Sequence, residues 1–132
     1  MSDRYRRGID IAEQLAADKI AHFVKSGVAE VAPDFARMVI EFAFGDIYAR
    51  KGLDLRTREL IAIAALASSG VAGPQLRVHV ESAESVGITK ADVVEIFMQI
   101  ALYAGFPAAL NALAECHDLL TDDDCVAGGA CR

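Results

Sequence analysis

Apolar residues recur at helical spacing along most of the chain, and no segment offers a competing two-residue alternation. Pro33, Pro74 and Pro107 each open an apolar periodic stretch, the place where a helix accepts proline because its first amide lacks an intrahelical partner anyway. Two more starts are marked by Asp54, ahead of Leu55, and by Thr89, whose spacing to Asp92 approximates a capping box. Gly27, Gly52, Gly70, Gly87 and Gly105 supply stops. The pattern predicts an all-α chain of six helices: Ile9–Ser26, Pro33–Arg50, Leu55–Ser69, Pro74–Val86, Thr89–Ala104 and Pro107–Leu120.

Leu60–Ala67 is apolar on every side, which predicts that this helix is the least exposed element, at the centre of a bundle or between subunits. Abundant alanines elsewhere leave apolar surface that one small domain does not cover, an argument for self-association; the competing reading is that they only raise helix propensity. Residues 1–120 read as one domain. From Thr121 on, Asp122-Asp123-Asp124 and Gly128-Gly129 read as a flexible tail.

At 132 residues with 54% hydrophobic and 24% charged residues, the chain is too apolar for disorder and long enough for one core. Its net charge of −6 argues against a phosphate backbone or an anionic membrane as partner, while leaving room for a small acid gripped by a few arginines. Three cysteines, an odd number, exclude a disulfide scaffold. The amphipathic start carries no secretory pattern. The longest apolar region, Val93 to Ala114, is interrupted by Glu95, Gln99, Gly105 and Pro107, so no membrane span is expected and a cytoplasmic protein is.

The fourth helix holds the most informative position. Leu76, Val80, Ala83 and Val86 form an apolar stripe, Arg77, Glu81 and Glu84 the wet face, and His79 falls on the stripe, where a titratable ring needs a partner. On the third helix Glu59 shares a face with Leu55, Ala62, Ile63 and Leu66, so its carboxylate also turns toward the core. Together they make a candidate proton-handling dyad. The alternatives are a core histidine satisfied by a carbonyl, and a Glu59 ion pair with Arg56, Arg58 or another subunit; sequence leaves all of these open. His22 and His117 sit among polar neighbours and read as surface residues. No His/Cys/Glu spacing suits a metal, no glycine-rich phosphate loop occurs, and the tail around Cys125 and Cys131 offers nothing to activate a thiolate.

Several pieces in this order, Phe42-Ala43-Phe44-Gly45-Asp46-Ile47-Tyr48-Ala49-Arg50, Gly52-Leu53, Thr57-Arg58-Glu59-Leu60-Ile61, Gln75-Leu76-Arg77-Val78-His79, Val86-Gly87-Ile88-Thr89 and Tyr103-Ala104-Gly105-Phe106-Pro107-Ala108-Ala109, resemble the carboxymuconolactone decarboxylase family. The likeness runs from about Arg4 to Leu113. It implies the alkylhydroperoxidase D-like helical fold, assembled into trimers or hexamers with the active site near subunit contacts. The peroxidase branch of that superfamily carries a Cys-x-x-Cys pair where this chain has Ala72 and Gln75, so dithiol chemistry is not expected. What the resemblance implies instead is cofactor-independent decarboxylation of a small unsaturated carboxylactone or related acid from aromatic catabolism, with His79 as proton donor or enolate stabiliser and Glu59 as the group orienting it. Arg58 and Tyr103 are weaker candidates for gripping a substrate carboxylate or carbonyl. Phe44 and Val86 replace the Trp and Asn common in established decarboxylases, so the resemblance points to a reaction class and leaves the lactone open. The rival reading is a non-catalytic oligomeric scaffold, or a binder of small aromatic ligands, with a structural His/Glu pair.

Overall fold

The computed structural model describes residues 1–70 and 73–121. The tail expected beyond Thr121, with Cys125 and Cys131, and the Ala72 position lie outside the described residues. Those described are all-α, and no strand occurs among them. The chain divides into two compact units, Met1–Arg58 and Glu59–Arg132. No helix among the described residues is long and apolar enough to cross a membrane.

The first unit contains α1 (Asp3–Phe23), α2 (Gly27–Val31), α3 (Pro33–Met38) and a π-helical segment, Val39–Tyr48. Helix α1 begins six residues before the apolar pattern does, since polar contacts hold its first turns. Ser2 caps it by accepting the Tyr5 amide, Arg4 pairs with Asp46, and the Arg7 guanidinium donates to the Gly45 carbonyl. Ala16 leaves helical geometry (φ −163°, ψ 69°) and kinks α1. The expected helix Pro33–Arg50 divides at Val39, where the wider winding begins; the Ala49 amide then reaches back five residues to Phe44. Gly8 and Gly45 let α1 and this segment touch backbone to backbone: a Cβ on Gly45 would stand 2.5 Å from the Arg4 carbonyl oxygen, and one on Gly8 would overlap that of Ile40. Ala12, Ile20 and Ile40 form the buried centre of this unit.

Helix α4 (Leu55–Ser68) starts where expected, with Asp54 accepting the Thr57 amide at 2.7 Å, and those hydrogen bonds hold its carboxyl below the usual range. The second unit, from Glu59, continues with α5 (Pro74–Ser82), a 3₁₀ turn (Ala83–Val86), α6 (Lys90–Ala104), α7 (Phe106–Glu115) and α8 (His117–Leu120). Thr89 and Asp92 form the capping box of α6. Gly73 and Gly105, both at φ +95°, turn the chain into α5 and α7, a conformation that favours glycine. Ile63, Leu76, Val93, Phe97, Ala112 and Cys116 are among the core residues. Within a single chain the Leu60–Ala67 run is unevenly covered: Ile63 and Ala67 are buried, Leu60, Ala64 and Leu66 pack partly buried against the core, and Ile61 on the opposite side is 52% exposed.

The last expected helix breaks at Cys116 because the α7 C-terminus is captured from α5. Arg77, read from sequence as part of a wet face, donates to the Glu115 carbonyl at 2.7 Å and forks onto both Asp118 carboxylate oxygens at 2.8 Å. Cys116 beneath it is fully buried, and burial pushes its thiol up to about 11, which leaves it a packing residue. The Arg77 contact lowers the Asp118 carboxyl from 3.8 to about 2. A depressed folded-state value stabilises above the unfolded value, and that contribution disappears as pH falls from about 4 toward 2. Asp118→Asn therefore melts at a lower temperature than the parent at pH 6, by a small margin because the pair is solvent-exposed and screened by salt. Melts repeated down to pH 2.5 show that margin closing; a pH-independent margin rules out the ion pair as its cause.

Candidate active site

Helix α4 covers one face, and the i, i+4, i+8 positions Glu59, Ile63 and Ala67 lie along it. A carboxylate on that stripe leaves water with two apolar neighbours, an unfavourable transfer unless a donor meets it. The donor comes from α5. Leu76, Val80 and Ala83 anchor that helix in the core, and His79, on the same side, is directed at Glu59. Imidazole Nδ1 stands 3.0 Å from one Glu59 carboxylate oxygen and 3.2 Å from the other. Glu59 is 1% exposed, whereas 23% of the His79 side chain remains accessible.

That asymmetry determines what the pair can do. With Glu59 accepting from Nδ1–H, the ring is oriented and Nε2 is the nitrogen left at which a proton can arrive or depart. Within the pair, Glu59 is the buried partner and His79 the one that keeps an accessible edge. Among the described residues no three His, Cys, Asp or Glu side chains converge as a metal site would require.

The other two site residues expected from sequence are placed differently. The Arg58 guanidinium is taken up by main-chain carbonyls, Nε donating to Leu53 and Nη2 to Arg50, each at 3.1 Å, so it clasps the turn before α4. Tyr103, near the end of α6, is 86% exposed and adjoins Leu102, itself 74% exposed. His22 and His117 are both exposed. Pattern reading missed Ser82, which is buried one turn beyond His79 and donates to the Val78 carbonyl at 2.7 Å where α5 gives way to 3₁₀ winding. Its only signal was its place on the apolar side of α5. An open cleft of about 650 Å³, walled by Val80, Glu84, Ile88, Lys90, Val93 and Leu120, also lies in this unit; neither Glu59 nor His79 lines it.

Residues 33–118 match the sequence model of the carboxymuconolactone decarboxylase family. The chain is similar to the 4-carboxymuconolactone decarboxylase of Acinetobacter baylyi, with 29% identity over 119 residues that cover 90% of this chain and 88% of that one. It is 32% identical over 106 residues to an uncharacterized 15.0 kDa protein of Paracoccus denitrificans, covering 80% of this chain and 79% of the relative. A third relative, the nitrosuccinic acid decarboxylase of Metarhizium robertsii, is 24% identical over 123 residues, 89% of this chain and 85% of the other.

Proposed function

The chain belongs to the carboxymuconolactone decarboxylase family, and on that premise we propose that it decarboxylates a small unsaturated carboxylactone or related acid without a cofactor, His79 and Glu59 forming its proton-transfer pair. The observation that carries this reading is the 3.0 Å contact between a buried Glu59 carboxylate and a partly accessible His79 ring. The bond from ring carbon to carboxylate breaks and carbon dioxide leaves. The electron pair passes through the conjugated double bond to the lactone carbonyl as an enolate, and a proton from Nε2 is added to carbon, after which water reprotonates the ring. Glu59 keeps the ring pointed and cannot itself meet substrate. A nitro group and a lactone carbonyl are both electron sinks for a departing carboxylate, so the names of two relatives describe one electronic demand.

The active unit in this proposal is a homo-oligomer, a trimer or hexamer. Met98 and Leu102 on α6 and Phe106 and Leu110 on α7 are each at least half exposed, apolar surface that a second copy would cover. Tyr103 adjoins Leu102 on α6, and a part for it in holding substrate belongs to the assembled state; Arg58 acts by shaping the turn before Glu59. The test is carbon dioxide release from 4-carboxymuconolactone and from nitrosuccinate, on protein whose mass is read by light scattering. Turnover of the lactone acid by a species several times 14.1 kDa is the expected result. Failure to decarboxylate either acid overturns the enzymatic reading, and a monomer overturns the assembly.

A further inference from the structure

We propose that the open cleft walled by the ends of α5 and α8 and the start of α6 is a preformed binding site for an amphipathic organic cation, a primary amine carried on a hydrocarbon chain. The cleft lies wholly within the second unit, and its volume of about 650 Å³ falls in the range of small-molecule pockets. Its wall is largely apolar. Val80, Ala83, Ile88 and Val93 present the edge of the hydrophobic core there, and α8 adds Leu119 and Leu120, both partly buried. Local hydrogen bonds set this wall. The Ser82 hydroxyl donates to the Val78 carbonyl and the Ser85 hydroxyl to the Ser82 carbonyl, where α5 tightens into the 3₁₀ turn. Gly87, at φ +79°, then reverses the chain, and the Ile88 amide returns to the Ala83 carbonyl at 3.1 Å. A wall already ordered spares a ligand the cost of ordering it.

Charge selects the kind of ligand. Glu81, Glu84 and Asp118 stand among the described lining residues against one cation, Lys90. Asp118 shares its charge with Arg77, whereas the Glu84 carboxylate is in no ion pair among the described residues. Carboxylates in excess beside apolar walls set a negative potential that the low-dielectric side chains focus into the cleft. An ammonium group is drawn in and a carboxylate is repelled, while the apolar wall takes the hydrocarbon chain. A small acid of the kind proposed to meet His79 is therefore excluded as occupant. Neither Glu59 nor His79 lines the cleft, so this site stands or falls independently of the decarboxylation reading.

The test is titration of the 15N-labelled full chain with hexylamine at pH 7, where the amine is an ammonium ion. The amide resonances of Glu84, Gly87, Ile88 and Leu120 shift together and saturate, and hexanoate at the same concentrations leaves them in place. Octylamine binds more tightly than hexylamine, by up to about fourfold for each added methylene that is buried. Glu84→Lys, a change on exposed surface, weakens hexylamine by about threefold to tenfold, and Leu120→Ser narrows the gap between octylamine and hexylamine. His79→Ala binds hexylamine as the parent does. Hexanoate binding as tightly as hexylamine, shifts that spread over surface carboxylates without saturating, or an unchanged affinity in Glu84→Lys overturns the proposal. So does the absence of any shift, the result expected if a second copy of this chain covers the cleft.

Discussion

His79→Gln lowers kcat/KM for decarboxylation by about 10²–10⁴-fold, the range typical of losing a positioned general acid, and Glu59→Gln lowers it by about 10²-fold. Combining the two changes leaves activity close to that of His79→Gln alone, because a residue that works by orienting a ring has nothing to orient once the ring is gone. Stability separates this outcome from a structural role. Glu59 is 1% exposed, so an amide of the same shape removes a buried charge while still able to bond Nδ1, and the melting temperature of Glu59→Gln stays level or rises. Circular dichroism melts beside the kinetics check this. Full activity in both single variants disproves the proton-transfer pair, as does activity that falls only in step with melting temperature.

Gly8→Ala destabilises the protein by about 2 kcal/mol and lowers its melting temperature by about 8 °C. The sign is opposite to the usual one: alanine inside a helix is normally favoured over glycine by about 1 kcal/mol. Here the new methyl has no space, for it would meet the Ile40 carbonyl oxygen and side chain across the contact between α1 and the π-helical segment. A backbone carbonyl cannot rotate aside as a side-chain end can, so the two elements must separate and Ala12 and Ile40 lose their packing. Gly27→Ala is the matched control. Nothing lies within 4 Å of a Cβ there, so it is neutral or stabilises by up to about 1 kcal/mol. Thermal melts of the two variants decide the matter, and a Gly8→Ala protein as stable as the parent disproves the close crossing.

The elements that declared themselves in the sequence are those whose cause is local. Thr89 and Asp92 satisfy each other's neighbouring amides, Pro33 and Pro74 pre-set the first helical φ, and Gly70, Gly87 and Gly105 adopt positive φ near the stops. Each needs only residues a few positions away. The elements that did not declare themselves are held by partners distant along the chain. The early start of α1 depends on Asp46 and Gly45, and the break at Cys116 depends on Arg77, 38 residues before the Glu115 carbonyl it binds. Arg77 illustrates the limit well. Periodicity placed it on a wet face, and nothing local reveals a fork aimed at another helix.

At the candidate site, sequence by itself determined that Glu59 and His79 each stand on the core side of a helix, because facing follows from the 3.6-residue period alone. It left open whether the two faces met each other, a carbonyl or another subunit. Only the tertiary structure decided that, placing Nδ1 3.0 Å from the carboxylate with Glu59 inside and His79 partly accessible. It likewise withdrew Arg58 to main-chain carbonyls and left Tyr103 in the open. The physical reason is that the direction of a side chain is a property of one helix, whereas the partner it finds depends on how helices far apart in the chain are packed.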